Sequence, residues 1–250
     1  MIVQCRNCNT TFETAVKFCT TCGQSVLKGD NEKRISNLNL IIGFYSAHLL
    51  FIAFVYFLTN AYPENFAVDL IIEIGFALLV LGFVALDFKN ILKLYNFKHL
   101  NWKHLSVAIV FPIFSSSLVY LLIEGFNFLI DDGASTNYFE SYLYLENPLF
   151  WSILFIAITP PIFEELAFRG FLFNKLRKVT SEKMTIIATA FLFALIHFSF
   201  ISFLWIFPFG LLLGYLRSKY NTLWLGIIIH FFHNLIVLLL DYYNYYTVLE

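Results

Sequence analysis

Four short runs hold the side chains able to do chemistry: Cys5-x-x-Cys8 with Cys19-x-x-Cys22, Glu164-Glu165-x-x-x-Arg169, Phe193-x-x-x-His197, and His230-Phe-Phe-His233-Asn234. The spacing of the first run lets four thiolates occupy the corners of a tetrahedron around one Zn²⁺. Gly23 after the second knuckle permits the tight turn such a site needs. Two disulfides are the competing arrangement, which a cytosolic segment disfavours. The second run sits in an apolar stretch, where two carboxylates and an arginine cannot be solvated by lipid. In a helix Glu165 and Arg169 share a face and can pair, while Glu164 points about 100° away. One acid therefore has a structural partner and the other is free for chemistry. His230 and Asn234 also share a helical face, and His233 can reach the His230 side.

These runs need elements to hold them, and composition says which. The 250 residues are 59% hydrophobic, 20% aromatic and 13% charged, with a mean hydropathy of +0.73. Soluble domains are roughly 25% charged, so too few polar side chains remain to cover a water-facing surface. A soluble globule and a disordered chain are both excluded. The expected fold is an all-α polytopic membrane protein of about seven transmembrane helices, preceded by a small four-cysteine zinc ribbon at 1–23 and a hydrophilic linker at 24–37. Spans fall near 38–60, 67–86, 105–130, 149–173, 185–200, 202–216 and 222–240, the pair at 185–216 being short for the roughly 20 residues a crossing needs. The bundle as a whole runs 38–241. Met1-Ile2-Val3-Gln4 has neither the basic n-region nor the apolar h-region of a signal peptide.

The sixteen basic residues test this layout. Fifteen fall in 1–37, 87–104, 174–184 and 217–221, whereas 61–66, 131–148 and 241–250 hold acids such as Glu64, Asp131, Asp132, Glu140 and Glu146 but no Lys or Arg. The positive-inside rule then puts the N-terminus in the cytoplasm and the C-terminus outside, in a bacterial plasma membrane. Tyr242, Tyr243, Tyr245 and Tyr246 form an aromatic anchor at the outer interface. Residues 87–103 mix Lys89, Lys93, Lys98 and Lys103 with apolar side chains and read as an interfacial helix or elbow on the anionic inner leaflet. Their partner is the bilayer, and no nucleic-acid role is expected. The remaining basic residue, Arg169, is alone inside a span. Pro160 and Pro161, just upstream, predict a kink or break that lines a cavity. At about 1.5 Å per residue, Glu164, His230 and His197 lie roughly 14, 13 and 17 Å from the cytoplasmic end, a depth they can share.

In this order and spacing, Glu164-Glu165-x-x-x-Arg169, Phe193-x-x-x-His197 and His230-x-x-x-Asn234 resemble the three signature motifs of the CAAX-protease and bacteriocin-processing (CPBP, or Abi) family. The likeness covers about 148–237 and extends to Phe207-x-x-Gly210-x-x-x-Gly214 and Thr222-Leu223-Trp224. It implies an intramembrane endopeptidase that cleaves a membrane-associated protein or peptide without a covalent enzyme intermediate. In that reading Glu164 is the general base, His197 orients and polarises the water, His230 and Asn234 stabilise the oxyanion, and Glu165 and Arg169 hold the site together. A desolvated carboxylate is a stronger base, and buried donors aimed at an oxyanion contribute several kcal/mol. No Gly-x-Ser-x-Gly element and no intramembrane cysteine offers a serine or thiol alternative.

Other readings stay open at this level. Glu164, His197 and His230 can be written as three ligands of a catalytic metal, although asparagine suits an oxyanion donor better than a zinc ligand. A polar network that only joins helices is one competitor. A non-catalytic scaffold or bacteriocin-immunity-type protein recruiting a cytosolic partner through the ribbon is another. A transporter is a third, without visible inverted repeats. His48 reads as a helix-end or interfacial residue, Asp69 and Asp87 as span flanks, and Glu73, Glu124 and His233 are left unassigned. Gly210 and Gly214 form a small-xxx-small face for close helix approach.

Overall fold

The structure is a computed structural model that describes residues 3–5, 7–13, 19–23, 28–98, 100–130 and 137–248. Arg6, Lys17, residues 24–27, Asp131 and Asp132 lie outside the described residues, as do the side chains of Lys28, Asp30 and Glu124. Two short antiparallel strands, β1 (Val3–Gln4) and β2 (Thr11–Phe12), form the head. Among the described residues ten α-helices follow: α1 (Lys28–Ala61), α2 (Phe66–Ala85), α3 (Phe88–Leu92), α4 (Trp102–Ile130), α5 (Pro148–Ser152), α6 (Thr159–Glu164), α7 (Phe173–Leu176), α8 (Glu182–Leu195), α9 (Phe200–Tyr220) and α10 (Trp224–Val248). The hydrophilic residues from Lys28 onward are the first turns of α1.

Among the described residues, six helical stretches are long and apolar enough to cross a membrane: Glu32–Ala61, Phe66–Ala85, Trp102–Leu122, Pro148–Leu176, Phe200–Tyr220 and Trp224–Thr247. The expected span at 185–200 is the 14-residue α8. The apolar run there carries no glycine or proline to mark its end, so sequence alone overran it. Ser181 caps the start by accepting from Met184 N–H, and Phe198 at φ 49° reverses the chain directly after His197. A bulky residue in the left-handed region is uncommon. Ser199, accepting from Ser202 N–H, then starts α9. The two helices run antiparallel and approach closely at Gly210, where a Cβ would stand 3.1 Å from the Cα of Ala190. The expected small-residue face thus lies against α8.

The fourth span, Pro148–Leu176, changes helical type along its length. Ile153–Ile158 and Glu165–Leu172 are π-helical, and α6 lies between them. The break that the prolines predict is this alternation of wide and normal turns, with Pro160 and Pro161 in the first turn of α6. Single π turns are frequent at functional sites. Every residue from Glu165 to Leu172 is buried. Phe168, Phe171 and Leu172 join Phe44 of α1, Val80 and Val84 of α2 and Phe193 of α8 in the main core.

Polar contacts sort the chain into two ends. At one, Asn96 Nδ2 donates to Asn221 O (3.0 Å), Leu223 N–H to Leu94 O (3.0 Å) and Lys175 Nζ to Asp87 Oδ1 (3.2 Å). This ties Asp87 to the segment 174–178 and the lysine-rich elbow after α3 to the segment 221–224. At the other, Tyr138 N–H donates to Asp241 Oδ2 (2.9 Å), and Tyr144 donates to Asp69. There Phe139 packs against the rings of Tyr242, Tyr245 and Tyr246. The basic and acidic segments that the sequence separates are thus gathered at opposite ends of one bundle.

Two sequence expectations need correction. His48 is 2% exposed and touches Phe44, Phe76, Phe83 and Phe168, because α1 begins well upstream and places it mid-helix. Asp87 is a buried hub rather than a span flank. It accepts from Asn90 (2.9 Å), Asn174 (3.0 Å) and Lys175 (3.2 Å), with Lys178 at 3.7 Å. Burial pushes its carboxyl up, but these donors outweigh that and hold it below the usual aspartate range.

Candidate active site

The site begins with Glu165, whose side chain is pinned on three sides. Its Oε1 accepts from Arg169 Nη1 at 2.9 Å, the i,i+4 pair the spacing predicts, and lies 3.4 Å from His230 Nδ1. Its Oε2 lies against Gly226 so closely that a Cβ there would fall 2.5 Å away. Only a residue without a side chain lets α10 pass the carboxylate at that distance. The buried Glu165–Arg169 pair, each side chain 1% exposed, replaces two isolated charges that hydrocarbon would not tolerate.

Arg169 extends the pairing outward. Its guanidinium carbon stands 4.3 Å over the Phe193 ring, and Nη2 donates to Gly210 O at 3.4 Å. Beneath it Arg217, assigned by sequence to a basic inner segment, is itself buried. Arg217 Nε donates to Arg169 O at 2.9 Å, Nη2 to Asn174 Oδ1 at 2.9 Å and Nη1 to Asn221 Oδ1 at 2.8 Å. Sequence reasoning missed this residue because a basic side chain near a span end looks like an interfacial cation. Its one signal was the i,i+4 asparagine, Asn221.

His230 lies between the two acids. Nδ1 faces Glu165, and Nε2 is 3.7 Å from Glu164 Oε2. The two carboxylates that helical geometry separates are thus joined through one imidazole, because its two nitrogens reach both sides of the junction between α6 and the π-helical turn. Glu164 keeps 18% of its side chain exposed, against 1% for Glu165. The paired acid is sealed and the other stays accessible.

Phe193 is the wall shared by the two motif histidines. Its ring centroid is 5.0 Å from that of His197 and 6.0 Å from that of His230. His197 is exposed at the end of α8, with Nδ1 2.8 Å from Phe193 O. Asn234, one turn beyond His230, donates from Nδ2 to Ile156 O at 2.9 Å. His233 faces α4, with Nδ1 3.2 Å from Ser115 Oγ and 3.0 Å from Ser116 Oγ. Glu73 of α2 accepts from Thr159 Oγ1 at 2.7 Å and lies within electrostatic reach of Glu164. The structure therefore links Glu164, His230, Glu165 and Arg169 in one chain of contacts, sets His197 across Phe193, and turns His233 toward α4.

Among the described residues, the four cysteines are the only group of three or more His, Cys, Asp or Glu side chains whose ligand atoms converge. Glu164, His197 and His230 do not converge as such a set. In the head all four Sγ atoms lie within 4.8 Å of one another, Cys5–Cys22 at 3.7 Å and Cys8–Cys19 at 3.3 Å. A tetrahedron with Zn–S bonds of about 2.3 Å has edges near 3.8 Å, so the four thiols fit one ion. Burial raises the Cys19 thiol, but backbone N–H groups of Cys22 and Thr21 prevail and lower it to about 6, favouring the thiolate a metal needs.

Residues 146–236, a little over a third of the chain, match the family model described as type II CAAX prenyl endopeptidase Rce1-like. The match spans Glu164, His197, His230 and Asn234. No curated protein and no solved structure matches the chain.

Proposed function

We propose, from the premise that the segment 146–236 belongs to the Rce1-like family of type II CAAX prenyl endopeptidases, that this multi-pass membrane protein hydrolyses a peptide bond of a membrane-associated protein or peptide. The observation that carries the reading is the asymmetry of the acid pair. Glu165 is committed to Arg169 and His230, while Glu164 stays accessible with an oxygen 3.7 Å from His230 Nε2.

Glu164 takes a proton from water as the water oxygen adds to the scissile carbonyl carbon. His197, exposed beside the same phenylalanine wall, orients that water. The negative charge that develops on the carbonyl oxygen faces His230 Nε2 and the amide hydrogen of Asn234 not given to Ile156. Donors preorganised in a low-dielectric site are worth about 3–4 kcal/mol each when charge develops. Glu164 then returns the proton to the leaving amine as the C–N bond breaks. Glu165 and Arg169 act through His230 by fixing its orientation. The substrate class follows the family: a membrane-associated protein or peptide, with or without a prenyl group. The basic end of the bundle, with Lys89, Lys93, Lys98, Lys175 and Lys178, faces the cytoplasm of a bacterial plasma membrane, and the acidic end holding Asp241 faces out. The cysteine head holds a structural Zn²⁺ on the cytoplasmic side, where it can engage a partner.

The experiment compares protein termini in membranes of a wild-type strain and strains carrying Glu164→Ala or His197→Ala. At least one membrane protein cleaved in wild type should accumulate uncleaved in both variants. Identical termini in all three strains refute the assignment.

A further inference from the structure

Pro160 and Pro161 leave a debt in the backbone of the fourth span. Thr159 N–H reaches back five residues to Leu154 O, in π register, whereas Glu165 N–H is shared between Ile162 O and Pro161 O, three and four residues back. Across this change of register the carbonyl of Ile156 would be served by an N–H at 160 in an α-helix or at 161 in a π-helix. Both positions are proline and neither has an N–H. In hydrocarbon every backbone polar group must find a partner within the protein. Asn234 of α10 donates its Nδ2 to this oxygen at 2.9 Å.

We propose that Asn234 is a positioning residue that closes the di-proline break by supplying the donor both prolines lack. The bond joins the two spans that carry the reacting groups. Glu164 lies four residues beyond Pro160, and His230 lies four residues before Asn234. Fixing Ile156 to Asn234 therefore fixes where Glu164 and His230 meet. Asparagine suits the task because its amide nitrogen carries two hydrogens, one for Ile156 and one free to face the site. Its importance for cleavage rests on the endopeptidase reading; its effect on the backbone does not.

A double-mutant cycle tests this. Thermal unfolding of purified protein in detergent is measured for wild type, Asn234→Ala, Pro161→Ala and the pair, and again with Pro160→Ala as the second background. In either alanine background a backbone N–H becomes available to Ile156. The expected result is that Asn234→Ala lowers the Tm of the wild type by about 3 °C or more, and by less than half as much in at least one alanine background. An equal loss in all backgrounds, or no loss in wild type, overturns the proposal. Pro161→Ala and Pro160→Ala are single changes toward better helix formers, and each background serves if the other does not fold. Where cleavage is measurable, kcat of Asn234→Ala should rise at least tenfold in the rescuing background with KM unchanged, yet stay below that of the alanine background alone, because the second amide hydrogen that faces the oxyanion is still missing. Recovery of Tm without that rise in kcat refutes the positioning role while leaving the endopeptidase reading intact. Absence of cleavage by wild type bears on that reading alone.

Discussion

Glu165 is the residue whose freedom is most restricted, and its surroundings make two predictions at the residue scale. Gly226→Ala puts a methyl group 2.5 Å from Glu165 Oε2, so the carboxylate must leave either Arg169 or His230. Breaking a buried pair of this kind costs about 3–5 kcal/mol. The variant should unfold at markedly lower denaturant and cleave substrate at least tenfold more slowly, and wild-type values in both assays would show that the contact yields. Asp87 gives a pH dependence. Its folded carboxyl is held below the usual value of 3.8, so its ion pairs add stability above about pH 4, lost as pH falls through the lower folded pKa. Melting curves of wild type and Asp87→Asn should therefore differ at neutral pH and converge in acid. The Glu165–Arg169 pair was legible in the sequence because i,i+4 spacing in an apolar run admits little else. Asp87, Arg217 and His48 were not, because a polar residue near an apparent span end looks the same whether it meets water or a buried partner.

At the scale of elements, the fourth span, α10 and the end of α8 supply the proposed site, and the others hold them in place. The sequence announced a break at Pro160–Pro161 but could not say that it would be a pair of π-helical stretches, since hydrogen-bond register leaves no mark on composition. Nor could it shorten α8, whose end depends on the backbone of Phe198 and a serine cap on the next helix. His233 was ambiguous by helical spacing, and its hydrogen bonds to Ser115 and Ser116 now tie α10 to α4. This contact sets the rotation of α10, so that His230 and Asn234 face the fourth span. Interhelical side-chain bonds in membranes are worth about 0.6–1.7 kcal/mol. Ser115→Ala/Ser116→Ala should lower unfolding stability by an amount in that range, and no measurable change would remove the clamp from the account.

At the scale of the whole molecule, charge scarcity gave the architecture, and the partition of Lys and Arg gave its two ends. Contacts at Asp87, Asn96 and Asn221 at one end, and at Asp69 and Asp241 at the other, follow that partition. The head is a separate chemistry. Purified protein should carry one zinc per chain by elemental analysis and lose it in Cys19→Ser, whereas retention of the metal in that variant would place the ion elsewhere. The proposed membrane chemistry turns on Glu164, and one measurement tests it most directly. A peptide spanning an identified cleavage site is incubated in proteoliposomes with wild type or with Glu164→Gln, a near-isosteric change that removes the base. Loss of general-base catalysis predicts a fall of about 10²–10⁴-fold in kcat with an unchanged melting temperature. Cleavage by Glu164→Gln at the wild-type rate would contradict the account.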